Sequence, residues 1–226
     1  MSGFESMGGG VVEAGDRVKP GASGGTFGNM FDDARSRRVV FVAHCILNQN
    51  AISDGTADFA GSFEPVVDAL CRSGVGMCQM PCPELLCLGL DRRDREGGRS
   101  PVLVENSRIR RALDSPSMTE CIGRLTSLVA RQIDEYHEYG FDIVGVIGVN
   151  RSPSCGVETT SRDDREAPGS GIFIEALKRE LERLRISVPM IGIRTSEPER
   201  AVVVVRRLVE VTGTPGGDSK NLGPIE

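Results

Sequence analysis

The chain has 226 residues, 39% hydrophobic and 26% charged, with a formal net charge of -5 from 27 basic and 32 acidic side chains. That length suits one domain with a proper core, and the acidic balance lacks the electrostatic footprint of a protein that binds nucleic-acid duplexes. No apolar run approaches the ~18 residues that span a bilayer, and the Gly-rich, acidic start lacks the basic-then-apolar layout of a secretory signal. The expected compartment is therefore the cytoplasm, without membrane partners, and the expected state of the thiols is reduced. Seven cysteines, an odd number, argue against a fully paired disulfide framework, and two histidines exclude a His-rich metal site. Any metal chemistry has to run mainly on thiolate.

Residues 1–36 hold clustered glycines and no sustained apolar period, and residues 213–226 read the same way. The expected layout is a flexible tail at 1–36, one α/β domain at 37–212 and a flexible tail at 213–226. Inside the domain, Val39-Val40-Phe41-Val42-Ala43 is a continuous apolar run, the mark of a strand covered on both faces. Ser62 is placed to cap a helix bearing Phe63, Val66, Val67 and Leu70, with Gly74 just beyond its end. Val75 to Met80 reads as a second strand, closed by Pro81. The 88–116 segment is polar, Arg-rich and too long for an ordinary connection, the profile of a lid, a binding loop or a disordered stretch.

Ser117 and Glu120 form a capping box that opens a long helix with Met118, Ile122, Leu125, Val129, Ile133 and Tyr136 on one face. Phe141 to Val149 is an apolar strand. A helix bearing Phe173, Ile174, Leu177, Leu181 and Leu184 follows Ser170, and Val188 to Ile193 is another strand. Ser196 and Glu199 make a second capping box before a helix over Ala201 to Val211. Strands alternating with helices predict an α/β fold, a Rossmann-like open, mostly parallel sheet flanked by helices.

Three cysteines share an address in that scheme. Cys45 follows the first strand, Cys82 the second and Cys155 the Phe141–Val149 strand. Ligands bind outside the carboxyl ends of strands in open parallel sheets, so cysteines 37 and 73 residues apart can converge on one site. Cys71 and Cys121 fall near the apolar faces of their helices and Cys78 inside a strand, all three reading as core thiols. Cys87 lies close enough to Cys82 in sequence to share a metal site. A closed zinc site wants four ligands, commonly delivered in short-spaced pairs, and no C-x-x-C pair exists here. Three thiolates on three loops match an iron–sulfur cluster with one iron lacking a protein ligand. On spacing alone, a set of packed core cysteines is an equal alternative.

Cys45-Ile-Leu, then Asp54-Gly55, then Cys82-Pro83-Glu84, then Ser152-Pro153-Ser154-Cys155-Gly156 together resemble the thiouracil desulfurase family over residues 38–195. The resemblance implies a Rossmann-like fold and a [4Fe-4S] cluster on Cys45, Cys82 and Cys155, with one iron lacking a protein ligand. It implies Glu84 and Ser152 as catalytic groups. The implied reaction takes sulfur from a small thiolated molecule, a thiouracil-like base or related thiocarbonyl. The substrate sulfur coordinates the open iron, and C=S is hydrolysed with release of hydrosulfide. The chain departs from many relatives at Ala51, where they place another cysteine, and at Ile52-Ser53 before Asp54.

Each of these residues has a plainer role as well. Glu84 is a general base or a carboxylate at a helix N-terminus. Ser152 holds substrate or caps a turn. Asp54 orients a ligand of the site or simply makes the turn with Gly55. His44 is a ligand, an acid or a hydrogen-bonded structural residue, while His137 faces solvent. Arg92, Arg93, Arg95 and Arg99 either hold an anionic substrate or, interleaved with Asp91, Asp94 and Glu96, form a solvated loop. Asn48, Gln49 and Asn50 offer amides suited to a base edge. The alternative functions are a non-catalytic iron–sulfur or persulfide carrier, for which Glu84 and Ser152 are dispensable, and a structural zinc protein taking Cys87 or His44 as fourth ligand.

Overall fold

The computed structural model describes residues 33–212, so the expected tails, apart from residues 33–36, lie outside the described residues. Four parallel strands form the central sheet: β1 (Arg38–Val42), β2 (Gly76–Gln79), β3 (Asp142–Val149) and β6 (Met190–Ile193), in the order β2-β1-β3-β6. The fold is an open α/β sheet flanked by helices, as its alternating pattern predicts. The chain passes from β1 to β2 on one side, then crosses back to place β3 on the other side of β1. That reversal leaves a crevice at the carboxyl ends of β1 and β3. The helices that follow the strands form two groups, α2 (Glu64–Arg72) in one, and α5 (Thr119–Glu138) and α6 (Ile172–Leu184) in the other. α7 (Pro198–Thr212) packs with α2, and α5 with α6.

The core forms where both layers press on β1 and β3: Val40, Phe41, Val42, Val144, Val146 and Ile147 are fully buried against Phe63, Leu70, Ile133 and Phe173. Strands covered on both faces have no polar side to display, which is why they read as continuous apolar runs. Among the described residues no helix is long and apolar enough to cross a membrane.

Several local expectations fail for identifiable reasons. Ser62 and Ser117 do not cap their helices: α2 starts after Phe63 without a side-chain cap, and α5 starts after Met118, behind a 3-10 turn over Pro116–Met118. The 88–116 segment is not simply a loop, for α4 (Val102–Leu113) crosses it. Its buried face carries Glu105, Asn106, Ser107 and Arg110 beside Ile109 and Leu113, which hides the apolar period. Asn106, Ser107 and Arg110 face the antiparallel hairpin of β4 (Thr159–Arg162) and β5 (Arg165–Pro168), turned through Asp163 and Asp164, both at positive φ, while Glu105 pairs with Arg108. Arg110 donates to Thr160 Oγ1 and the Ser170 carbonyl, both at 3.1 Å, and to Glu175 at 3.0 Å.

The cysteines also divide differently. Cys71 is exposed rather than core, because Val66, Ala69 and Leu70 already fill the inward face of α2. Cys121 is not a free core thiol: it forms a disulfide with Cys87, joining α5 to α3 (Pro83–Leu88). This pair contradicts the expectation that the thiols are all reduced, and it takes Cys87 out of any metal site. Cys78, on edge strand β2, is half-buried against Tyr136.

Candidate active site

Cys45, Cys82 and Cys155 line one cavity of about 220 Å³ at the carboxyl ends of the sheet strands, together with Glu84, Ser152 and His44. Each sulfur is placed by local chain chemistry. Cys45 lies on α1 (His44–Leu47), a single turn after β1, and its carbonyl accepts from the buried Gln49 side chain at 2.7 Å. Cys82 caps α3, its Sγ accepting from the Leu85 N–H at 3.5 Å, with Pro83 at the first helical position, where no N–H is missed. Cys155 sits in a loop that folds back on β3. The Val149 N–H donates to the Cys155 carbonyl at 3.1 Å, and Gly148 permits that approach because a Cβ there would stand 2.1 Å from the same oxygen. The carbonyls of Pro153 and Ser154 accept the first N–H groups of α6 at 3.0 and 3.1 Å, which anchors the loop to a helix instead of to a side-chain cap.

The carboxylate of Glu84 is the polar centre of the cavity. Glu84 lies in the first turn of α3 and is 6% exposed. Its Oε1 accepts from Ser154 Oγ at 2.6 Å and Ser152 Oγ at 3.4 Å, and its Oε2 accepts from Ser53 Oγ at 3.2 Å. Arg92 Nε stands 3.5 Å from Oε2. Ser152 also keeps its plainer role, since its hydroxyl accepts from the N–H groups of Ser154 (3.2 Å) and Cys155 (3.0 Å).

Burial governs the thiols. It pushes the Cys45 thiol up to about 12 and Cys82 up to about 11, with Glu84 adding to both and Cys82 adding to Cys45. Cys155 is raised well above its ordinary value by burial and by Cys82 and Cys45. Without a cation the three are neutral thiols at pH 7. Burial lowers the His44 pKa, and its buried Nε2 has no hydrogen-bond partner, contrary to the hydrogen-bonded structural role.

Asp54 is exposed at the turn with Gly55, outside the cavity lining, in a smaller hollow against Gly97 and Gly98. The amide run supports the backbone: Asn48 caps a 3-10 turn, and Gln49 braces the Cys45 loop. His137 is exposed as expected. Of the four arginines, Arg93, Arg95 and Arg99 are exposed, but Arg92 is only 3% exposed and lines the cavity, against the reading of a wholly solvated loop. Sequence reasoning also passed over Ser53 and Ser154. Ser154 stands inside the Cys155 motif and was open to notice; Ser53 has no local mark.

The donor set suits an iron–sulfur cluster. Among the described residues no three His, Cys, Asp or Glu side chains gather to hold a single metal ion. A cluster meets its ligands at separate irons, so it needs three soft sulfurs facing one cavity rather than converging on one point. Cys45, Cys82 and Cys155 meet that requirement and are not disulfide-bonded.

No family model matches the chain. An uncharacterized protein of Methanocaldococcus jannaschii is 27% identical over 165 residues, 73% of this chain and 91% of that protein. A solved [4Fe-4S]-dependent thiouracil desulfidase, TudS, is similar at 18% identity and a TM-score of 0.38, over 74% of this chain and 97% of that one. A likeness of that size carries no argument about activity, which has to be read from the cavity.

Proposed function

We propose that the chain is an iron–sulfur enzyme that hydrolyses C=S in a small thiolated molecule, a thiouracil-like base or related thiocarbonyl compound. The observation that carries this reading is one cavity into which three strand ends bring three unpaired cysteines and a carboxylate held by three serine hydroxyls. A carrier of sulfur or of a cluster has no use for the carboxylate, and burying it is unfavourable unless it does work.

Cys45, Cys82 and Cys155 would hold a [4Fe-4S] cluster, which when bound supplies one iron without a protein ligand, a Lewis acid suited to a soft thiocarbonyl sulfur. The remaining work belongs to the chain. Glu84 takes a proton from the water that adds to the C=S carbon, and Ser152 and Ser154 fix the direction of Oε1 while it does so. Ala51, Ile52, Val102 and Val149 give the cavity apolar walls that suit a flat base and limit stray water. Oxygen from water replaces sulfur on the carbon, one proton of that water leaves on the sulfur as hydrosulfide, the other passes from Glu84 to solvent, and no electrons are transferred.

Anaerobic reconstitution tests both halves. The protein should take up about four irons and a matching amount of acid-labile sulfide per chain, then release hydrosulfide from 2-thiouracil or 4-thiouracil. Stoichiometric zinc without labile sulfide, or a loaded protein that releases hydrosulfide from no thiocarbonyl compound, overturns the reading.

A further inference from the structure

Arg92 stands apart from its neighbours. It belongs to a run of charged residues whose other arginines are exposed, yet its side chain is 3% exposed and faces the cavity. Its backbone sits in the left-handed region, at φ +48°. Nη2 donates to the Ala51 carbonyl in the turn that follows Cys45, and Nη1 to the Leu90 carbonyl at 2.7 Å. The Arg92 carbonyl in turn accepts from Arg108 Nη2 at 2.9 Å, and Arg108 is gripped by Glu105. Held at both ends, the guanidinium leaves Nε buried without a hydrogen bond, 3.5 Å from Glu84 Oε2. A buried charge left without return is strongly unfavourable, and Arg93, Arg95 and Arg99 show that solvent is within reach of this segment.

The two oxygens of Glu84 have different owners. Oε1 is held by Ser152 and Ser154, from the Cys155 loop. Oε2 is faced by Ser53, in the loop following Cys45, and by Arg92. Glu84 itself lies two residues after Cys82. The carboxylate is thus where the three cysteine-bearing loops meet, and Arg92 is the charged member of that junction.

We propose that Arg92 is a positioning residue: its guanidinium fork ties the Glu84 carboxylate to the backbone of the Cys45 loop, so that the base keeps its place relative to the cysteine sulfurs. This rests on the reading of Glu84 as the base. Lysine, a point charge without a fork, reproduces it only in part.

The test is a double-mutant cycle on the reconstituted enzyme, with R92M, R92K, E84Q and R92M/E84Q. All should keep wild-type iron, sulfide and visible spectrum. R92M should lose about tenfold or more in kcat with KM changed less than about threefold, and R92K should recover part of the loss. Because Arg92 acts through Glu84, R92M should cost nothing further in the E84Q background; a structural role would add its own damage there. Losses that multiply, a rise in KM alone, or loss of iron from R92K overturn the proposal. The same cycle by thermal unfolding of the metal-free chain should show a double variant no less stable than the worse single variant, and additive losses of Tm overturn it. If wild-type enzyme releases no hydrosulfide from any thiocarbonyl, the proposed function falls, while the thermal cycle still decides whether Arg92 anchors Glu84.

Discussion

Helix α3 is six residues long and looks two ways. Its cap and first turn present Cys82 and Glu84 to the cavity; its last turn presents Cys87 to α5, where Cys121 bonds to it, beside a small cluster of Leu88, Ile109, Leu113, Met118 and Ile122. The seam is built as stability alone would build it, with an apolar cluster and a cross-link. The cavity is not. It encloses three unpaired cysteines beside a buried carboxylate and a buried guanidinium, where alkyl side chains of similar volume serve stability as well or better. Similar burial with opposite chemistry is the contrast on which the proposed function of the cavity rests.

The widest gap between the two regions should be in metal retention. Cys45→Ser, Cys82→Ser and Cys155→Ser should each abolish iron binding after anaerobic reconstitution, while the Cys87→Ser/Cys121→Ser double variant keeps it. Iron retained by Cys155→Ser, or lost from the seam variant, would erase the distinction. Next in size is turnover. Glu84→Gln should keep the cluster and lose about a hundredfold or more in hydrosulfide release, within the range for general acid–base groups. Ser154→Ala should lose more turnover than Ser152→Ala, because its hydrogen bond to Oε1 is 2.6 Å against 3.4 Å. Ser152→Ala should instead show its main loss in thermal stability, about 1 kcal/mol, since two backbone N–H groups lose an acceptor.

The same contrast explains what sequence could reveal. β3 and α5 were legible because burial is written into them, as a continuous apolar run and as a period along one face. The cysteine addresses were legible because strand ends in a parallel sheet share one edge, whereas Glu84 and Ser152 are marked only by the family resemblance that the Cys82-Pro83-Glu84 and Ser152-to-Gly156 motifs carry. α4 was not, because its inward positions are Glu105, Asn106, Ser107 and Arg110, and the last three find their partners in the β4–β5 hairpin. The hairpin was missed in turn, its strands being four residues long and largely polar. Arg92 looks like Arg93 or Arg95 until the fold turns one of them inward. Cys121 has the period of a core thiol, and only the packing of α3 on α5 places Cys87 opposite.

The seam has its own test. Replacing Cys87 and Cys121 together by Ala removes a cross-link between residues 34 apart and should cost about 2–4 kcal/mol of stability by denaturant unfolding. Turnover per loaded cluster should stay near wild type. A stability loss accompanied by an equal loss of turnover would mean that the seam, and not only the cavity loops, holds Cys82 and Glu84 in place.

The smallest expected effect compares single thiols. Alkylation needs the thiolate and access to it. In the metal-free native protein Cys71 is exposed on α2, whereas Cys155 is buried and Cys78 half-buried, with burial pushing both of their thiols upward. A raised pKa leaves less thiolate at pH 8, so exposure and ionisation act in the same direction. Iodoacetamide at pH 8 should therefore modify Cys71 about tenfold or more faster than Cys78 or Cys155, as read by peptide mass spectrometry. Loading the cluster should leave the Cys71 rate unchanged and suppress Cys155 further. Equal labelling of Cys71 and Cys155 in the metal-free protein would mean that the cavity opens in solution on the timescale of the reaction, and that its enclosure depends on what it binds.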